Sequence, residues 1–422
     1  MRGNIKEEKK QMMLNENILT LLPKMAVPTI MAQLITTIYN LVDTFFVSTL
    51  GTNATAAVGV NSSLERMITL VGSLIGAGAC SYIARLLGAK KDERANQVLS
   101  SSFFSGLGLG ILFLILGKLI IGDLVYWLGA TKECATYSMI GISIGGILNC
   151  FLDPLFIYKL GMGVAGASMA TAISKFISFV ILLVPYIRKS SIVELSIRRI
   201  KFIIEDVKEV ISIGSSSFFR SLLTVAASIA INRVAGTYST ATLAALSVSN
   251  RVMEFPFAFI LGFGQEYQPV VGFNWGAKSW KRVKDSYKYG CAMAVAGSVI
   301  MGIIIFIFAA PIIYVFNTEA DAEVLRLGML CIRLQCFGLI IHALSSQVNM
   351  FYAGIGNAKL SIITNFARQG YCFYPVLFIA PLLFGVEGVA STQAIADLLS
   401  AIVIIPLYFY GHKLINKASM EG

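Results

Sequence analysis

Apolar runs of 18 or more residues, separated by short polar loops, recur along this chain from residue 22 to residue 411. A helix needs about 20 such residues to cross a hydrocarbon core of about 30 Å. The runs are rich in Leu, Ile, Ala and Gly and lack the period-two alternation of a membrane barrel, so the pattern predicts helices. It places them at 22–49, 56–86, 97–121, 137–159, 163–187, 208–234, 241–272, 287–316, 327–354, 359–383 and 386–411. The expectation is an all-α polytopic membrane protein with about 11 spans, five in a first lobe and six in a second.

The halves repeat. Gly88-Ala89-Lys90 returns as Gly276-Ala277-Lys278, and Gly163-Val164-Ala165-Gly166 returns as Gly385-Val386-Glu387-Gly388. Gly88 to Gly166 covers 78 residues, whereas Gly276 to Gly388 covers 112. The difference is room for one further span and a short loop. The resulting organisation is a tail at 1–21, a first lobe at 22–187 that is one helix short near 122–140, a basic linker at 188–207, a second lobe at 208–411 and a tail at 412–422. Duplicated lobes are the signature of secondary transporters.

Charge sharpens the topology. Only 14% of the 422 residues are charged and mean hydropathy is +0.75, against about 25% charged residues in soluble domains. The excess of +11 falls in alternate loops: Lys90, Lys91 and Arg94; Arg188, Lys189, Arg198, Arg199 and Lys201; Lys278, Lys281, Arg282 and Lys284; Lys413 and Lys417. That is the positive-inside pattern rather than a nucleic-acid surface, and it puts both termini in the cytoplasm of a multi-pass protein of the cell membrane. Five simple crossings in the first lobe would leave the basic linker outside, whereas six would satisfy the rule, so charge points to the same gap as the landmark spacing.

Acids at membrane depth are costly and are functional candidates. Asp43 and Asp153 each lie eight residues before a loop glycine, Gly51 and Gly161, hence about 12 Å below it. Asn149 stands one turn before Asp153, and Tyr39 and Asn40 one turn before Asp43. Such a group suits a proton or Na⁺. Neither acid has an acidic counterpart at the matching position of the second half, so a coupling site is expected in the first lobe. The second lobe offers Arg251 and Glu254, whose spacing suits a structural ion pair, with Gln265, Glu266 and Arg368. Enzyme-like motifs carry no weight here. The glycines at 161, 163 and 166 join two membrane helices without a preceding strand, and Gly141-x-Ser143-x-Gly145 lies inside an apolar helix. The seven Cys form no C-x-x-C pair, which gives no indication of zinc or a disulfide framework.

The segments IYNLVDTFFVSTLG (38–51), YIARLLGAKKDERA (82–95), NCFLDPLFIYKLGMGVAGAS (149–168), GFGQEYQPVVGFNWGAK (262–278) and FARQGYCFYP (366–375) resemble the MATE (multidrug and toxic compound extrusion) family, closest to its MepA-like branch. The resemblance implies a two-lobed antiporter of twelve helices that exchanges H⁺ or Na⁺ for cationic or amphiphilic drugs. It implies no cofactor beyond that ion, and a monomer in the lipid bilayer with no nucleic-acid partner. It carries the first-lobe cation site onto Asp43, Asn149, Asp153 and Thr171. Two departures stand out: Glu266 where the family has Gly, and the apparent loss of the fourth helix. A deletion remnant with impaired or no transport and a lipid-linked-precursor flippase of similar architecture are the alternative readings.

Overall fold

A computed structural model describes residues 10–48, 52–120, 163–187, 195–316 and 322–421, together with Leu152, Leu155 and Phe156. The described residues form α1 (Ile18–Ser48), α2 (Thr52–Gly88), α3 (Asp92–Ile120), α4 (Gly163–Ile187), α5 (Ile204–Tyr238), α6 (Thr240–Gly276), α7 (Trp280–Phe316), α8 (Ala322–Gly354), α9 (Ala358–Phe366) and α10 (Phe373–Glu421). Six stretches among them are long and apolar enough to cross a membrane by length and composition. The expected gap near 122–140 lies outside the described residues.

Most helices overrun the apolar pattern at their ends. α2, α6 and α7 have 37 residues each, about 55 Å at 1.5 Å per residue, so each projects well beyond the hydrocarbon core. α5 starts inside the segment expected to be linker. Its first turn carries Glu205 and Asp206, which favour a helix N-terminus although they do not belong to an apolar run. Within that segment Lys201 is tied to α3: Ser101 Oγ donates to the Lys201 carbonyl at 2.9 Å, and Lys201 N–H donates back to Ser101 Oγ at 3.1 Å. The expected C-terminal tail continues α10 to Glu421.

The turns show how the chain reverses. Ser239, in extended conformation, is the single residue between α5 and α6, and its hydroxyl caps α6 by accepting from Thr242 N–H at 3.0 Å. The two Gly-Ala-Lys landmarks close α2 and α6 in the same way. Lys90 and Lys278 have φ of 59° and 55°, a left-handed conformation unusual for lysine. The following N–H reaches back to Leu86 O in one turn and Asn274 O in the other, at 2.8 and 3.0 Å, which satisfies the carbonyls left open at a helix end. The Gly385 landmark also marks a joint. With φ of 56° and ψ of −131° it breaks α10 into two arms, at the boundary predicted between spans 359–383 and 386–411.

Within the second lobe α8 is central and packs against α6, α7 and α10. Its buried face includes Leu327, Ile332, Leu339, Ala343, Val348 and Phe351. The lobes meet where α1 packs on α6, and α2 on α5 and α6. Glycines make these crossings close. A Cβ on Gly78 would overlap the Val210 carbonyl, and one on Gly214 the Leu74 carbonyl. A Cβ on Gly88 would overlap Phe273 O, and one on Gly276 Arg85 O. The last two contacts are reciprocal: each landmark glycine meets the carbonyl three residues before its counterpart.

Candidate functional site

The first-lobe acid site is placed only in part. Asp43 lies on α1 with Tyr39 and Asn40, and Asn40 is exposed. Thr171 is half-buried on α4, a helix that packs against α1. Asn149 and Asp153 lie outside the described residues.

At the basic end the two lobes are joined by charge. Asp206 of α5 is 5% exposed. Its Oδ1 accepts from Tyr82 Oη at 2.8 Å and from Arg94 Nε and Nη2 at 2.9 and 2.6 Å. Hydrogen bonding to this carboxylate holds the Arg94 guanidinium above its usual pKa. One turn along α5, Glu209 accepts from Arg85 Nη2 at 2.7 Å. Ser81 of α2 donates to the Ala353 carbonyl at the end of α8. Deeper in the molecule, Thr29 Oγ1 of α1 donates to Glu266 Oε1 of α6 at 2.9 Å, and Gln33 Nε2 donates to Gln265 Oε1 at 3.1 Å. Glu266, the departure from the family pattern, is thus an interlobe contact. These bonds hold the lobes together at one end. Arg94→Ala, Asp206→Ala and the double variant should give a double-mutant coupling of about 0.5–3 kcal/mol, measured by equilibrium denaturation in detergent. Strict additivity would show the pair to be inert.

The second lobe has a polar interior. Arg368 sits on a π-helical turn, Ala367–Tyr371, between α9 and α10. Such widened turns recur at functional sites. Its Nε and Nη2 donate to the two oxygens of Asp397 at 2.7 and 3.3 Å, and Gln393 Nε2 donates to the same carboxylate at 2.8 Å. Asp397 is 2% exposed, so removing either partner would strand a buried charge. The Arg368 guanidinium lies 5.3 Å from the Phe257 ring centroid, and His342 packs edge-on against the same ring at 4.6 Å. Nearby, Ser216 accepts from Asn365 and pairs with Ser361, and Thr224 donates to Gln369. A cavity of about 40 Å³ opens among Ser228, Asn250, Gln335, Gln369 and Gln393, polar and large enough for ordered water.

Several expectations change. Arg251 is half-buried and Glu254 exposed on α6, and no ion pair joins them among the described residues. An i, i+3 spacing lets two side chains meet but does not oblige them to when their environments differ. Gln265 belongs to the interlobe contact, and Arg368 to a buried pair. Asp397 was not singled out from the sequence, although an acid near the middle of the 386–411 run carries the same signal as Asp43. Arg220 in the 208–234 run is a second such case.

Two repeat-related helical bundles, joined at one end and polar between and within, define a membrane transporter architecture. Residues 28–187 and 217–379 match the MatE family profile, and the chain belongs to that family, which comprises transporters and not enzymes. The multidrug export protein MepA of Staphylococcus saprophyticus is 24% identical over 434 residues, covering 94% of this chain and 95% of that protein. MepA of Staphylococcus haemolyticus is 24% identical, covering 94% of each. The same fold occurs in the outward-facing conformation of a multidrug resistance MATE family transporter, with a TM-score of 0.86 at 24% identity, covering 97% of this chain and 98% of that one. It occurs also in a MATE structure in the straight conformation, with a TM-score of 0.87 at 23% identity and 98% and 99% coverage.

Proposed function

We propose that this protein exports cationic or amphiphilic compounds across the cell membrane in exchange for H⁺ or Na⁺, as a monomer with both termini in the cytoplasm. The observation that carries the reading is the interlobe junction. Two bundles of one family-wide fold meet at the basic end through close helix crossings and buried apolar side chains from both lobes, reinforced by interlobe hydrogen bonds and ion pairs. Alternating access in such folds is a rocking of one repeat against the other around a fixed site. MepA relatives matching more than nine-tenths of the chain support multidrug export as the activity. Asp43, Asn149, Asp153 and Thr171 are the proposed coupling-ion groups, with Tyr39 and Asn40 beside them. Ion binding there would change the charge of the first lobe between the two states. Cells expressing the chain should clear ethidium faster than vector controls, and a protonophore or sodium removal should abolish the difference. Equal clearance in both would overturn the reading.

A further inference from the structure

We infer that the second lobe holds a site for the anionic group of a transported amphiphile, centred on Arg220. This inference rests on the export reading and names a substrate class for it.

Arg220 lies near the middle of α5, 16 residues after Ile204 and 18 before Tyr238. A charge at that depth is costly unless it is paired or faces a polar interior. No carboxylate pairs with it among the described residues. The buried acid Asp397 is engaged elsewhere, with both oxygens accepting from Arg368 and one also from Gln393. Of the two guanidinium groups that act on His342, Arg368 is matched by a carboxylate and Arg220 is not, among the described residues.

Helical spacing says where Arg220 faces. Ser216, Arg220, Thr224 and Ser228 follow one another at intervals of four and share one face of α5. Ser216 bonds Asn365, and Thr224 bonds Gln369, so the face turns toward α9 and the π-helical turn, away from lipid. Ser228 continues it into the polar cavity. Arg220 thus stands between two hydrogen-bonded rungs inside the lobe, and it remains half-buried rather than sealed.

A second group points the same way. His342 lies within electrostatic range of both Arg220 and Arg368, and its Nδ1 is buried with no hydrogen-bond partner. A neutral imidazole can donate from one ring nitrogen. A carboxylate, sulfonate or phosphate beside Arg220 would complete both groups, through charge-assisted bonds of the kind Arg favours. Phe219, packed on Phe366 at 5.8 Å, and Phe257 provide apolar surface for the rest of the molecule.

The test compares a zwitterionic quinolone with its ethyl ester, which keeps the amine and loses only the anion. Binding is measured to the full chain in phosphatidylcholine nanodiscs. The acid should bind at least about 10-fold more tightly than the ester, the order expected of one charge-assisted contact. Arg220→Gln should bring the ratio to about 1, and Arg220→Lys should keep part of it. Loss of the preference when phosphatidylglycerol replaces part of the lipid would support the site and identify lipid phosphate as a competing occupant. An acid-to-ester ratio near 1 in the unmodified protein, or a ratio unchanged in Arg220→Gln, would overturn the proposal, the first even if no variant folds. Because the readout is binding, its failure is separate from a failure of ethidium export.

Discussion

Gly214→Val is expected to keep the lobes from closing at their basic end and to reduce export by an order of magnitude or more. Where α2 and α5 cross, the Gly214 Cα faces the Leu74 carbonyl and the Gly78 Cα faces the Val210 carbonyl, with no room for a Cβ at either position. Small residues at such crossings are what let two backbones touch. The obstacle is backbone on both sides, so no rotamer change relieves it and the helices must separate. The neighbouring Tyr82–Asp206, Arg94–Asp206 and Arg85–Glu209 bonds then lose their geometry. Each lobe's own packing is spared, since the crossing lies between them. Spin labels at Lys91 and Lys208, both exposed, in a cysteine-free background should report a longer and broader distance distribution. An unchanged distribution together with normal ethidium efflux would show that the crossing tolerates a side chain and that closure does not depend on it.

Asp43→Asn should abolish export while leaving the protein in the membrane at its normal level. The amide keeps the size of the carboxyl group and most of its hydrogen bonding, but it can neither take up and release a proton nor supply a charge to Na⁺. α1 gives that change a route to the lobe junction. Thr29 and Gln33, which bond Glu266 and Gln265 of the other lobe, lie on the same helix 14 and 10 residues before Asp43, about 21 and 15 Å along its axis. Efflux of ethidium and membrane abundance are measured together. Gradient-driven efflux at the normal rate in Asp43→Asn would remove Asp43 from the coupling site.

Much of the fold was legible because a membrane makes burial one-dimensional: a helix must be apolar for a fixed length, and 163–187 and the break at Gly385 follow from that alone. The repeat identified the two Gly-Ala-Lys turns as equivalent, though nothing in a lysine announces a left-handed φ. The lobe junction was not legible. Arg94 and Asp206 are 112 residues apart, and no local pattern reveals that such residues will meet. Glu266 could be recognised as unusual but not as the partner of Thr29. The π-helical turn that presents Arg368 leaves no mark on an apolar run. Asp397 and Arg220 carry the burial signal of a charge in an apolar run, but nothing in the repeat marks them, because the polar interiors of the lobes are not copies of each other.

The reciprocal contact of Gly88 with Phe273 O and Gly276 with Arg85 O has the geometry of a two-fold homodimer interface written within one chain. A free dimer must bind tightly enough to survive dilution. Here the two halves are one chain, so their association is intramolecular, and a weak association is enough to hold this end together. Fusion of the halves therefore relaxes the demand on affinity. It also leaves the two sides free to diverge, so that one half can keep its acids while the other acquires arginines.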